Sequence, residues 1–190
     1  MEVRKHTFVA LYDASPEHAH FESSTPSIGA RTLGRALGEA HLGVISHVGP
    51  TMVNTVFAEL SCLSVVSIAL SPASNMDEHT RAFRLPVPHV PLVFTGRGAL
   101  GADTIALASS HAVVLFGSQV GKVEAILDHM LHVHIPIGIL TDETPSTIHE
   151  RVRAHHPNLT SMLFVSHDPK VLVREIADEL RRREFTKKLA

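Results

Sequence analysis

The chain has 190 residues, of which 44% are hydrophobic and 19% charged, a composition typical of a globular protein with a sizeable core. Its formal net charge of −2 excludes the strongly basic surface that binding to a nucleic-acid backbone requires. The single cysteine excludes an internal disulfide, and no apolar run approaches the ~18 residues that cross a bilayer, so we expect a cytoplasmic protein without a membrane partner.

Predicted strands and helices alternate along the chain. Apolar runs predict strands at residues 7–12, 42–46, 65–70, 92–94, 111–116, 135–140 and 162–165. Apolar residues at helical spacing predict helices at residues 26–40, 52–60, 100–109, 123–130 and 145–155, and from residue 169 onward. This alternation is typical of a parallel sheet covered on both faces, and right-handed crossovers make it doubly wound. The sequence therefore predicts one Rossmann-like α/β domain over residues 1–190, with a mostly parallel sheet of about seven strands.

Single residues add local expectations. Thr25 and Pro26 predict the start of the first helix, and Thr144 is expected to cap a later one. Pro136 indicates that its strand lies toward an edge or begins there. Cys62, on an apolar helix, is expected in the core.

Two segments lack predicted regular structure. The segment 13–27 is rich in Ser, Pro and His, which is typical of a loop and makes it a candidate cover for a ligand. The segment 71–91 contains four prolines. Loops of about twenty residues are uncommon in compact domains and are often functional, so this one is a second candidate.

The chain contains fifteen histidines, and some of them cluster at His129, His132 and His134. One interpretation is a set of scattered surface histidines. The other is a metal site, with His129 and His132 on one helix face. Because no Cys or acidic cluster with metal-ligand spacing lies beside them, we expect no metal.

The most informative stretch is a strand that runs into a glycine turn. The apolar run 111–116 is followed by Gly117–Gly121 and then by helical spacing. Such a turn leaves backbone N–H groups free at a helix start, which suits a phosphate or carboxylate. In doubly wound folds, ligands bind where strand order reverses, at the carboxyl ends of the strands. The candidate ligand-binding residues in turns after strands are Asp13, Ser15, Ser46, His47, Gly49, Thr51, Thr95, Gly96, Gly117, Ser118, Gln119, Val120 and Gly121.

The order of these elements resembles the Rossmann-like SLOG superfamily, also described as lysine decarboxylase-like. Its best-known members are the LOG (Lonely Guy) phosphoribohydrolases, and molybdenum-cofactor carrier proteins are relatives. The resemblance covers about residues 7–142. It rests on the helix with Leu33–Leu37, Met52 after a glycine turn, the strand end Ile68–Pro72, Thr95–Gly96 and Glu124.

The chain departs from the glycine-rich signature of that family, Pro-Gly-Gly-x-Gly-Thr-x-x-Glu. Placed so that its last residue is Glu124, the signature keeps Gly117, whereas Ser118, Val120 and Gly121 replace Gly, Gly and Thr. A Cβ at Val120 narrows the approach of a phosphate to the backbone. This departure predicts weaker phosphate binding or a different ligand.

The resemblance also implies two catalytic side chains. Glu124 either acts as an acid or base, contacts a sugar hydroxyl, or only favours the helix dipole. Active enzymes of the family pair the Glu with an Arg. The Arg-Asn pair of the subgroup with a Thr-Gly turn falls on Ala102 and Asp103 here, so Arg97 or Arg81 is the candidate cation.

Three functions are left open. The first is binding of a nucleotide or phosphorylated cofactor, with weak or no turnover. The second is a nucleoside 5′-monophosphate phosphoribohydrolase that uses Glu124 and Arg97. The third is a structural or partner-binding domain with a closed pocket. The resemblance implies a nucleoside monophosphate or molybdopterin-type ligand, a homodimer and no required cofactor; lysine decarboxylase activity is not expected.

Overall fold

The computed structural model describes residues 6–13, 28–48, 51–83, 90–116, 126–128 and 134–189. Its strands are β1 (Phe8–Asp13), β2 (Gly43–His47), β3 (Ile68–Ser71), β4 (Leu92–Phe94), β5 (Ala112–Phe116), β6 (Ile137–Leu140) and β7 (Leu163–Ser166). Its helices are α1 (Ile28–Glu39), α2 (Thr51–Ser61), α3 (Met76–Phe83), α4 (Gly98–Ala108), α5 (Pro145–His155) and α6 (Pro169–Leu189), with a 3-10 helix at Pro157–Met162. Residues 126–128 are also helical.

The seven strands form one parallel sheet in the order β4-β3-β2-β1-β5-β6-β7. Successive residues of a strand point to opposite faces. Val9 and Leu11 of β1 therefore pack in a core with α1, α2 and α6, whereas Ala10 packs in a second core with α4 and α5. Leu127 joins the second core. The predicted doubly wound α/β fold is confirmed.

The strand order reverses beside β1. The chain adds β2, β3 and β4 on one side of β1 and then crosses to β5, β6 and β7 on the other. Asp13 and Phe116, the last residues of β1 and β5, are register partners. The reversal therefore lies between these two strand ends, and the next residue in the chain is Gly117.

The segment 71–91 contains a helix, α3, which corrects the prediction of an irregular loop. Asn75 accepts a hydrogen bond of 2.9 Å from the N–H of Glu78, and the Glu78 carboxylate accepts one of 2.7 Å from the N–H of Ser74. A capping residue followed by Glu three residues later is a known helix-start pattern. The signal was present in the sequence, between the prolines that suggested a loop.

Two other local expectations are also corrected. Cys62 is exposed, because α2 ends at Ser61 and leaves Cys62 in the following turn. Thr144 precedes α5, but its side chain makes no capping hydrogen bond. The prediction for Pro136, that its strand lies toward an edge or begins there, holds in its second form: β6 begins at Ile137, between β5 and the edge strand β7. Pro136 lacks an N–H but still accepts a 2.9 Å bond from Val113, so the ladder is kept.

Thr25 and Pro26, the predicted start of the first helix, lie outside the described residues. Within the described segments, we find no helix whose length and apolar character would let it cross a membrane.

Candidate ligand site at the carboxyl edge of the sheet

A side chain joins β1 to β2 near the carboxyl edge. The β1–β2 register pairs Phe8 with Gly43 and Val9 with Val44, whereas β1 stays paired with β5 as far as its last residue. Beyond that register, the hydroxyl of Ser46 donates a hydrogen bond of 2.6 Å to the carbonyl of β1 residue 11. Ser46 is buried. Its hydroxyl, predicted to contact a ligand, instead links β1 to β2.

Helix α4 brings Asp103 to both strands. The hydroxyl of Tyr12 donates a 2.9 Å hydrogen bond to the main-chain carbonyl of Asp103. Nδ1 of His47 lies 3.3 Å from the Oδ1 of Asp103. The side chains of His47 and Asp103 are 18% and 33% exposed, so the pair lies at the boundary between core and solvent. We call Tyr12, His47 and Asp103 the Tyr–His–Asp cluster.

Burial controls the state of Tyr12. It raises the pKa of the phenol far above its ordinary value, and the nearby charge of Asp103 raises it further. Tyr12 is therefore a neutral hydrogen-bond donor at physiological pH. The cluster thus combines the phenol of Tyr12 and the imidazole of His47, near the ends of two adjacent strands, with the carboxylate of Asp103 from α4.

Sequence reasoning selected His47 but missed Asp103 and Tyr12 as parts of the site. Asp103 is the only charged residue in α4, whose sequence is otherwise Gly, Ala, Leu, Ile and Thr. A single carboxylate in an otherwise apolar helix was the feature of the sequence that could have marked Asp103 as a site residue. It could not show which strand ends Asp103 would contact.

The predicted Thr-Gly turn is bound to the neighbouring loop. The N–H and the hydroxyl of Thr95 both donate to the carbonyl of Ser71, each at 2.9 Å. The N–H of Gly96 donates to the carbonyl of Ala73 at 3.0 Å. Gly96 has φ of +60°, a conformation that favours glycine. These donors are used within the protein, which differs from the open set of N–H groups that cradles an anion.

A buried polar contact fixes the same outer region. Nδ1 of His79 in α3 lies 2.9 Å from Oγ of Ser71, which also accepts a 3.2 Å bond from the N–H of Ala73. Burial lowers the pKa of His79, so its ring is neutral at physiological pH. The ring also meets Phe94 edge-on, with centroids 6.3 Å apart. These contacts attach α3 to the ends of β3 and β4.

The candidate cations lie away from the reversal of strand order. Arg97 is exposed and follows β4, which is four strand spacings from β5, or about 19 Å. Arg81 is exposed on α3, where its Nε donates to the carbonyl of Asp77 at 3.1 Å. A ligand held at the end of β5 therefore reaches Arg97 only by extending along the edge of the sheet.

The remaining predicted site residues divide into two groups. Asp13 ends β1 and Thr51 begins α2, so both lie at the carboxyl edge. The others lie outside the described residues, namely Ser15, Gly49, Gly117, Ser118, Gln119, Val120, Gly121 and Glu124.

The histidine cluster gives no metal centre in the part of the chain that the structure describes. His129 and His132 lie outside that part. His134 is exposed, and its main-chain carbonyl accepts a 2.6 Å bond from Arg183. Among the described residues, no group of three or more His, Cys, Asp or Glu side chains could hold a metal ion.

Comparison with known proteins identifies the fold. No family model matches the chain, and no curated protein matches it in sequence. The chain is similar to the molybdenum cofactor binding protein of Rippkaea orientalis, with 15% identity, a TM-score of 0.62, and coverage of 98% of this chain and 99% of that one. It is also similar to the molybdenum cofactor carrier protein of Chlamydomonas reinhardtii, with 15% identity, a TM-score of 0.63, and coverage of 92% and 98%.

A third similar structure is the structural genomics target TM1055, with 14% identity, a TM-score of 0.64, and coverage of 93% of this chain and 99% of that one. All three matches extend over nearly the whole length of both chains. The chain therefore has the Rossmann-like fold of the molybdenum cofactor carrier proteins, which is the fold that its resemblance to the SLOG superfamily implied.

Proposed function

We propose that the chain binds a phosphorylated small molecule, a nucleotide or a molybdopterin-type cofactor, at the carboxyl edge of its sheet, with weak or no turnover. The reversal of strand order between β1 and β5 is the observation that carries the proposal, because doubly wound folds bind ligands at such a point. Two proteins of similar structure are described as a binding protein and a carrier of the molybdenum cofactor, which supports a cofactor as ligand.

The phosphate contact is proposed at the glycine turn after β5. Phe116 ends β5, residues 126–128 are helical, and the segment Gly117–Gly121 lies between them in the chain. A helix start offers unpaired N–H groups and the positive end of the helix dipole to an anion. On the other side of β1, His47 is the proposed contact for the rest of the ligand.

Isothermal titration calorimetry with AMP, GMP and molybdopterin tests the proposal. We expect at least one of the three to bind. Gly117→Val should weaken that binding about tenfold, because a side chain obstructs the approach of the phosphate. Val120→Gly, which restores a glycine of the family signature, should tighten it.

A matched control for the glycine substitution lies at the opposite edge of the sheet. Val66 is 44% exposed in the loop before β3, so Val66→Gly should leave the affinity unchanged. Thermal unfolding of every variant identifies those that fail to fold. If none of the three compounds binds the wild-type protein, the proposed function is wrong.

A second candidate function is hydrolysis of the N-glycosidic bond of a nucleoside 5′-monophosphate. It is favoured by Glu124, which keeps the position of the Glu in the family signature. Water and AMP would give adenine and ribose 5-phosphate. Release of adenine that is lost in Glu124→Gln would support this function, whereas equal release from both proteins would contradict it. Arg97→Gln tests the candidate cation in the same assay.

We also propose a homodimer. Leu100 of α4 is 68% exposed, and Val93 of the edge strand β4 is 47% exposed. A helix that is apolar on all sides is normally covered on more than one side, and α4 carries one charged residue. Light scattering should give twice the mass of the chain, and Leu100→Glu should give the monomer. Leu63→Glu, at another exposed leucine, is the control. A wild-type monomer would contradict the proposal.

A further inference from the structure

We propose that Asp103 is a positioning residue that keeps a proton on Nδ1 of His47, so that Nε2 of His47 accepts a hydrogen bond from the ligand. The inference rests on the proposed function and names the chemistry of the ligand at this place. The group that faces His47 is a hydrogen-bond donor, such as an amino or ring N–H group of a heterocycle, or a hydroxyl of a sugar.

The first step is the contact between the two side chains. Oδ1 of Asp103 lies 3.3 Å from Nδ1 of His47. A carboxylate beside one ring nitrogen favours the proton on that nitrogen, since the partner of one nitrogen determines the state of the other. In the neutral ring, Nε2 is then the acceptor.

The second step is the fixed position of Asp103. Its carbonyl accepts the 2.9 Å hydrogen bond from Tyr12, whose phenol stays protonated because burial raises its pKa. Ala102 and Ala106 of the same helix are buried in the core beneath α4. The main chain that carries the Asp103 carboxylate is therefore held in place from β1 and from the core, and the side chain itself is 33% exposed.

The third step is the location of His47 relative to the proposed phosphate site. His47 ends β2, which is two strand spacings from β5, or about 10 Å. When the phosphate of a nucleotide or of a phosphorylated pterin is bound at the end of β5, the rest of the molecule can lie across the end of β1. Its ring or sugar then reaches His47. The donors of Thr95 and Gly96 are already bonded to the carbonyls of Ser71 and Ala73. They also follow β4, which is farther from β5 than β2 is, so His47 is the nearer polar contact.

Histidine ¹⁵N NMR of the full chain tests the action of Asp103 without a ligand. The signals of His47 are those absent from His47→Gln. We expect the Nδ1–H tautomer in the wild-type protein and a change toward Nε2–H, which the neutral side chain of free histidine prefers, in Asp103→Ala. Asp77→Asn removes a carboxylate from an exposed position of α3 and should leave the His47 signals unchanged. An Nε2–H tautomer in the wild type, or identical signals in Asp103→Ala, would overturn the proposal.

Calorimetry with GMP, which offers ring N–H and amino donors, tests the contact with the ligand. We expect Asp103→Ala to weaken GMP binding about tenfold and Asp103→Asn less, with Asp77→Asn as the unchanged control. Equal binding of GMP to the wild type and Asp103→Ala would overturn the role of Asp103 while the proposed function stands. If AMP, GMP and molybdopterin all fail to bind the wild type, the proposed function fails, and the NMR result alone supports or overturns the action of Asp103 on His47.

Discussion

The phenol of Tyr12 donates a 2.9 Å hydrogen bond to the main-chain carbonyl of Asp103, which joins the end of β1 to α4 across 91 positions of sequence. Tyr12 is the only tyrosine in the chain, and the chain has no tryptophan. Tyrosine absorbance and fluorescence therefore report on this one residue. Because Asp103 also contacts His47, the tyrosine signal is an intrinsic spectroscopic probe of the proposed ligand site.

The first prediction concerns the ionisation of Tyr12. Burial, and then the charge of Asp103, raise its pKa, so tyrosinate absorbance should not develop at the ordinary value of about 10 while the protein is folded. The folded state then holds the proton more tightly than the unfolded state. Its contribution to stability is complete below the ordinary pKa and is lost as the pH rises above it. Absorbance and far-ultraviolet circular dichroism, followed together against pH, provide the measurement.

A titration in concentrated urea is the control for Tyr12, because the unfolded chain should ionise at the ordinary value. Tyrosinate that develops near that value with the circular dichroism unchanged would contradict the assignment of Tyr12 as a buried donor.

The second prediction concerns His79. Burial lowers its pKa, so the unfolded state takes up a proton first as the pH falls. This contribution to stability is complete above the ordinary histidine pKa of about 6.5 and is lost as the pH falls below it. Urea unfolding at a series of pH values should show a decline that is smaller in His79→Asn. His155→Asn, at an exposed histidine of α5, should keep the wild-type decline; the same pH profile in wild type and His79→Asn would refute the prediction.

The third prediction concerns the hydrogen bond that joins β1 to β2. Ser46→Ala leaves the buried carbonyl of Leu11 without its 2.6 Å donor and should lower the free energy of unfolding by about 1–3 kcal/mol. Ser61→Ala is the matched control, since its hydroxyl is exposed and bonds within its own helix. Comparable, small losses in the two variants would show that Ser46 does not hold the strands together.

The fourth prediction concerns the contact between β6 and α6. A Cβ at Gly138 would lie 2.7 Å from Cδ1 of Ile176 and 3.2 Å from Cδ1 of Leu172. Gly138→Ala should therefore cost about 1–3 kcal/mol of stability, because the buried side chains of Ile176 and Leu172 must move to make room. In the background of Ile176→Val, which removes the closest methyl group, the same substitution should cost less. A double-mutant cycle measured in urea reports the difference, and additive effects would argue against the contact.

Much of the fold follows from local patterns in the sequence. The alternation of apolar strands with helical spacing predicts a doubly wound sheet because each pattern depends on neighbours a few residues away. The helix α3 also had a local signal, in Asn75 and Glu78. His47 was selected because a polar residue at a strand end lies at the ligand edge of such a sheet.

Only the tertiary structure decided which strands are neighbours and which side chains meet. The inner position of β6 and the contacts of Asp103 with Tyr12 and His47 depend on residues far apart in sequence. No periodicity records such a pairing, because the burial of apolar surface that drives the packing is non-directional. The sequence by itself determined the alternating elements and the polar strand ends, whereas the order of the strands beneath α4 decided that a carboxylate, a phenol and an imidazole share one place.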